Sequence, residues 1–347
     1  YVDLAIALGP DRAPGRTVRE APSEHLAPPL LRSRRLHPRI RGRRRTRLGR
    51  DPAGLWEPAR EQRPSSALAS AAPGSTSSQF LSGLLVSSPY FAQGIDVTMA
   101  DSLISRPYVD MTIAAMAEFG VDVARDDYSR FVVPPGGYQA TTFVIEPDAS
   151  SASYFFALAA MTRGRILVEG LGSNSIQGDV KFVDVLEAMG AVVRQGAYLT
   201  EGVGGGLTGI DVDMADISDP VPTFAAVAAC AETPSRVRNV GFIRGKESDR
   251  ISAMVTELNR IGIRATEHPD GFTVFPGQAT GGVVETYDDH RIAMAFGILG
   301  LRHPGITIAN PGCVAKTFPT FWETVEAIRS DASAPSDRDT SVAAEGT

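Results

Sequence analysis

Three stretches, DASSASYFFALAAM (148–161), DPVPTFAAVAAC (219–230) and DHRIAMAFGILGL (289–301), share one pattern: an aspartate opens each, and residues apolar on nearly every side of a helix follow. A helix of that kind has to be buried all round. A fourth stretch, SSQFLSGLL (77–85), opens on serines instead. After each first helix comes a short β-forming segment, at 95–99, 166–169, 237–240 and 306–309. A second helical pattern then occupies 107–119, 181–189, 247–261 and 317–328. Gly120, Gly190 and Gly262 follow three of these and fit helix C-caps. A strand is also predicted at 121–123. First helices begin near 77, 150, 219 and 289, a spacing of about 70 residues. Self-similarity at a fixed period is the signature of repeated structural units. The fold class predicted is α/β, with helix–strand–helix–strands units packed around shared first helices.

Composition agrees with a folded protein in its larger part. The chain has 347 residues, 43% hydrophobic and 21% charged, enough for two domains with a substantial core. It lacks both an apolar run of the ~18 residues that span a bilayer and a leading signal segment, so a cytoplasmic protein without membrane contact is expected. Cys230 and Cys313 are isolated, which fits a reduced compartment. Five scattered histidines form no zinc-ligand motif, and no metal is expected.

The net charge of −6 conceals a division. Residues 1–73 hold 15 arginines, no lysine and 7 acidic residues, with ten of the arginines between Leu31 and Arg50. No helical or strand periodicity is visible there, and residues 1–73 are expected to be a disordered Arg/Pro/Ala-rich tract. Translation of GC-rich DNA out of frame gives the same composition. A basic arm for nucleic acid is the functional alternative, but no aromatics interleave with the arginines as single-strand binding favours. A second disordered tract is expected at 331–347.

The repeated units differ in their polar residues, which locates chemistry. First helices open on Ser77-Ser78-Gln79, on Asp219 and on Asp289-His290-Arg291; second helices open on Ser105-Arg106, on Lys246-Glu247 with Arg250, and on Lys316-Thr317. Free N–H groups and the helix dipole make such termini anion sites. Lys246, Arg250, Arg291 and Lys316 add a cation set suited to phosphate and carboxylate. The chain has only three lysines, and two of them, Lys246 and Lys316, hold equivalent repeat positions; Lys181 reads as a surface residue. Asp219 fits either an N-cap or a general base acting on a hydroxyl. Glu247 fits either a first-turn dipole partner or a proton donor. His290, flanked by charges, is a candidate catalytic residue.

Six segments together resemble the EPSP synthase (3-phosphoshikimate 1-carboxyvinyltransferase) family: SSQF (77–80), SRPY (105–108), DASSASYF (148–155), KESDR (246–250), YDDHRIAMA (287–295) and AKTFP (315–319). They occur in family order over residues 74–330. The resemblance implies inverse α/β barrel lobes built of repeated βαβαββ units, with 74–147 the last unit of one lobe and 148–330 a three-unit second lobe. It also implies transfer of the enolpyruvyl group of phosphoenolpyruvate to the 5-hydroxyl of shikimate 3-phosphate, by a monomer with no cofactor. Ser77, Ser78, Gln79, Ser105, Asp219 and Lys246 would then bind shikimate 3-phosphate. Gln79, Arg250, Arg291 and Lys316 would bind phosphoenolpyruvate. Asp219, Lys246, Glu247 and His290 would be catalytic, with Asp219 as base and Glu247 as acid.

Four departures qualify that expectation. A Lys–Ser pair, an Asn-Ala-Gly-Thr loop and a phosphoenolpyruvate-binding arginine are expected before residue 74, and 1–73 contain none of them. Phe242 stands where the family has a polar residue. Impaired activity is therefore expected. A ligand-binding remnant without chemistry and an arginine-rich nucleic-acid binder on the same scaffold are the alternatives.

Overall fold

A computed structural model describes residues 4–7, 68–74 and 77–333, all within one compact unit. In chain order the elements are β1 (Leu4–Ala7), β2 (Leu68–Ala72), α1 (Ser78–Ser87), β3 (Ile95–Met99), α2 (Arg106–Glu118), β4 (Ala124–Asp126), β5 (Arg130–Val133), α3 (Ala149–Thr162), β6 (Arg165–Glu169), α4 (Phe182–Ala188), β7 (Val192–Gln195), β8 (Leu199–Val203), β9 (Asp211–Asp213), α5 (Val221–Ala229), β10 (Ser235–Arg238), α6 (Arg250–Arg260), β11 (Ala265–His268), β12 (Gly271–Val274), β13 (Gly282–Val284), α7 (His290–Arg302), β14 (Ile306–Ile308) and α8 (Phe321–Ser333). First helices start at 78, 149, 221 and 290, so the predicted period holds.

Two hydrophobic cores result. The smaller is built on α1, α2 and the sheet β2-β3-β5-β4, with Leu85, Val97, Val109 and Phe131 fully enclosed. In the larger, α3, α5 and α7 pack on one another at the centre. Their alanine-rich surfaces allow that approach: all nine residues of α5 are buried, as are twelve of the fourteen in α3. Ser153 and Thr223 share a hydrogen bond at 3.2 Å inside this packing, so neither hydroxyl is left dry and unpaired. Sheets β1-β6-β8-β7, β11-β12-β10-β9 and β13-β14 surround the three helices. The segment 134–148, without regular structure, joins β5 of the smaller core to α3 of the larger.

Several boundaries differ from the sequence reading. The second helices α4, α6 and α8 start later than expected, because 3₁₀ turns at Gly178–Lys181, Gly241–Gly245 and Pro311–Lys316 precede them. Lys246 and Lys316 therefore stand at the ends of 3₁₀ turns rather than in α-helical first turns. Asp249 opens α6 by accepting the Ser252 N–H at 3.0 Å, and a capping aspartate fixes a helix start more firmly than apolar spacing does. The strand expected at 121–123 is displaced to 124–126.

The tract 1–73 contains two strands where no periodicity was visible. β2 pairs in parallel with all five residues of β3, and β1 pairs antiparallel with β6. Both are short and alanine-rich, so tertiary pairing rather than β-propensity makes them strands. The arginine run at 31–50 and the tail beyond 333 lie outside the described residues, whereas 331–333 complete α8. No described helix is long and apolar enough to cross a membrane.

Candidate active site

Arg250, only 1% exposed, is the hub of a carboxylate cluster in the larger core. Its Nε donates to Asp289 Oδ2 at 2.9 Å, one terminal nitrogen donates to Asp219 Oδ1 at 3.2 Å, and the other to Glu247 Oε2 at 2.6 Å. A buried guanidinium needs this many acceptors, since an uncompensated charge there costs several kcal/mol. Arg291 donates to the second oxygen of Asp219 at 2.7 Å, and Lys316 Nζ to the second oxygen of Glu247 at 2.5 Å. Asp289 caps α7 by accepting the Arg291 N–H at 2.9 Å and also takes the Ser248 hydroxyl at 2.9 Å.

Asp219 stands just before Pro220, the N-cap of α5, and makes no capping bond. Its carboxylate instead faces two arginines, so the N-cap alternative fails. Burial would raise its pKa, but the charges of Arg291, Arg250 and Lys246 outweigh that and hold it below the ordinary aspartate value. Glu247 behaves alike: burial raises it, and Lys316 and Arg250 then bring it down to about 2. His290 is nearly enclosed, and burial with the Arg291 charge depresses it to about 4, which keeps the ring neutral at pH 7. Lys246 is half-buried and near enough to Asp219 to act on it electrostatically.

The serines belong to the smaller core. Ser77 caps α1, its Oγ accepting the Gln79 N–H at 3.3 Å, and Ser78 is buried in the first turn while Gln79 is exposed. Ser105 precedes α2 with φ +52°, in the left-handed region that favours glycine. Its buried Oγ has no hydrogen-bond partner. Three other buried polar atoms share that condition among the described residues: Tyr154 Oη, Ser218 Oγ and His290 Nδ1. Ser218 adjoins Asp219, His290 adjoins Arg291, and the Arg291 and Arg250 charges both act on Tyr154. Unsatisfied buried groups are rare in native proteins and call for an explanation. Tyr154, Ser218 and His290 thus belong to the neighbourhood of the cation cluster.

Sequence reasoning missed Tyr154, Ser218, Tyr108 and Asp179 as members of this region. Asp289 was seen only as part of a helix start, and its bond to Arg250 spans 39 residues. Phe242 packs against the larger core, which accounts for an apolar residue there. A groove of about 790 Å³ lined by Met111, Ala115, Phe119, Phe143 and Ile145 is apolar and contains none of the expected site residues. Among the described residues no group of His, Cys, Asp and Glu side chains is arranged to hold a metal ion.

The family model for EPSP synthase (3-phosphoshikimate 1-carboxyvinyltransferase) matches residues 69–325. The chain belongs to the EPSP synthase family. Its similarity to the 3-phosphoshikimate 1-carboxyvinyltransferase of a Nostoc species is 49% identity over 247 residues, 71% of this chain and 58% of that one. For the Proteus mirabilis enzyme the identity is 45% over 258 residues, covering 74% and 60%. Among solved structures, EPSP synthase from Acinetobacter baumannii superposes with a TM-score of 0.62 at 29% identity, over 75% of this chain and 62% of that one. The enolpyruvyl transferase NikO from Streptomyces tendae matches with a TM-score of 0.55 at 18% identity, over 70% and 57%, a likeness of fold. The enolpyruvyl transferase fold expected from the resemblance is thus found. This chain spans about 58–60% of the length of these curated relatives. The family match begins at 69, five residues earlier than the sequence reading, because β2 is included.

Proposed function

We propose that the chain contributes the larger part of an active site that transfers the enolpyruvyl group of phosphoenolpyruvate to the 5-hydroxyl of shikimate 3-phosphate, releasing phosphate. The setting we propose is a cytoplasmic monomer without cofactor. The observation that carries this reading is Asp219 clasped by Arg250 and Arg291, with Lys246 beside it and the Glu247–Lys316 pair adjoining.

In that arrangement Asp219 is a poor base, since two guanidinium groups stabilise its charged form. Phosphoenolpyruvate brings a carboxylate and a phosphate. As these take over Arg250, Arg291 and Lys316, Asp219 loses its partners and its affinity for a proton rises. It then accepts the 5-hydroxyl proton while the oxygen attacks C2. Glu247 undergoes the same release from Lys316 and Arg250, which a role as proton donor to C3 requires. His290 stays neutral and offers its unpartnered Nδ1 at the edge of the reaction. The tetrahedral adduct then returns a C3 proton to the Glu247 carboxylate as it expels phosphate, whose charge the fixed cations stabilise. Ser77, Ser78, Gln79, Ser105 and Lys246 would hold shikimate 3-phosphate, with Gln79 also reaching phosphoenolpyruvate. The unpaired Ser105 hydroxyl is the best-supported of these contacts.

Phosphate release in the presence of both substrates tests the reading, with calorimetry of shikimate 3-phosphate run alongside. Asp219→Asn should retain the ligand's affinity within a few fold and lower the rate by about 10²–10⁴, the usual contribution of a positioned base. Unchanged turnover in that variant would remove Asp219 from the mechanism. If the native chain binds ligand without turnover, a ligand-binding remnant is the better description. The same assay decides whether activity is impaired.

A further inference from the structure

Residues 177–179, Gln-Gly-Asp, lie far from the cation cluster in sequence, and yet all three grip the region where the two cores meet. Gln177 holds the end of the connecting segment: its Nε2 donates to Glu146 Oε2 at 2.9 Å and to the Pro147 carbonyl at 2.7 Å, while its Oε1 accepts the Ala149 N–H at 2.9 Å. Glu146 is held further by Ser175 Oγ at 2.6 Å and the Ile176 N–H at 3.2 Å. Gly178 faces Pro107 in the first turn of α2, and a Cβ at 178 would lie 2.4 Å from Pro107 Cβ. Only glycine permits that approach. Asp179, buried like a core residue, accepts the Tyr108 hydroxyl at 2.7 Å on one oxygen and the Ser150 hydroxyl on the other. Tyr108 is three residues beyond Ser105, and the charges of Asp219 and Arg291 both act on it.

We propose that Gln177, Gly178 and Asp179 form the joint that sets the Ser105–Tyr108 turn of the smaller core against the Asp219 cluster of the larger, with Asp179 a positioning residue that acts through Tyr108. Its role in catalysis rests on the function proposed above; the joint itself does not. A buried carboxylate is an expensive group to keep. Burial and the Asp219 charge push Asp179 up to about 6, against the opposing effect of the Ser150 and Tyr108 hydroxyls and of Arg291. An apolar residue would fill the space at less cost, but it would leave the Tyr108 and Ser150 hydroxyls without acceptors.

Amide hydrogen exchange of the ligand-free full chain tests the joint without reference to activity. Asp179→Ala should speed exchange in 105–112 by about 10- to 100-fold, the worth of hydrogen bonds to a charged group, and leave 221–229 in α5 unchanged. Asp179→Asn, which still offers one acceptor oxygen, should recover part of the protection. Gly178→Ala should act on the same amides by displacing Pro107. In a double-mutant cycle, Tyr108→Phe and Asp179→Ala should be strongly non-additive. Equal exchange at 105–112 in the native and Asp179→Ala chains overturns the proposal, and so does an equal rise in α5, which marks general loosening. Calorimetry then reports the consequence: shikimate 3-phosphate should bind about tenfold more weakly to Asp179→Ala, with partial recovery in Asp179→Asn. Unchanged affinity would remove the positioning role. If the native chain binds no shikimate 3-phosphate, the functional reading fails, and the exchange result still decides the joint.

Discussion

His290 and Asp179 are both buried and both shifted, in directions that give opposite pH dependence. His290 has a folded pKa of about 4 against an ordinary 6.5, so between those values the unfolded chain binds the extra proton. Stability from this residue is therefore complete above pH 6.5 and is lost as pH falls through 4. Asp179 has a folded pKa of about 6 against 3.8, so there the folded chain binds the extra proton, and stability grows as pH falls through the same window. The groups that set these values are Asp289, Arg291, Arg250 and Glu247 around His290, and Tyr108, Asp219 and Arg291 around Asp179, where Ser150 also bonds. Each shift corresponds to about 3 kcal/mol. Melting curves from pH 7 to pH 4 should thus show a shallower acid loss in His290→Gln and a steeper one in Asp179→Asn than in the native chain. Parallel slopes in all three would show that neither group titrates as its burial requires.

Among the helices, α7 and α8 show how tightly the outer layer is seated. Gly297 of α7 lies under the Trp322 ring, and a Cβ there would come within 2.7 Å of it. The ring cannot swing aside, because its Nε1 donates to the Pro311 carbonyl at 2.8 Å. Gly297→Ala should therefore cost about 1–3 kcal/mol by overpacking, read as a melting temperature lower by several degrees; a stabilised variant would contradict this packing. The first helices were legible in the sequence because burial on all sides leaves a continuous apolar run, as in α3 and α5. The second helices were legible only in outline. Apolar spacing marked their bodies, but the 3₁₀ turns before α4, α6 and α8 carry no periodicity, so Lys246 and Lys316 were placed in the wrong kind of turn. The cations could be found from repeat-equivalent positions. Asp219 and Glu247 were found likewise, but not which cation each would pair with, since the Arg291–Asp219 pair joins residues 72 apart. Tyr108 and Asp179 were hidden for the same reason, since the bond between them spans 71 residues.

Across the whole molecule, the two cores are unequal. Among the described residues the smaller has eleven buried apolar side chains, from Leu81 to Val133, whereas the larger extends from Ala149 to Ile328. Stability scales with buried apolar area, and regions with fewer such contacts open first. Under increasing urea, amides of β3 and β5 should lose protection before those of α3 and α5, with Tyr108 released from Asp179 at the first step. A single coincident transition for all four elements would show that the joint couples the cores into one folding unit. The pairing of Arg250, Arg291 and Lys316 with Asp219, Asp289 and Glu247 bears on a different matter, the discrimination among anions in a cell rich in them. Carboxylates built into the chain act as resident competitors at these cations. On the function proposed, a lone sulfate or chloride would offer too few contacts to displace them, whereas a ligand presenting a carboxylate and a phosphate at a fixed separation would evict several together, so selectivity would come from the chain's own acids as much as from its cations.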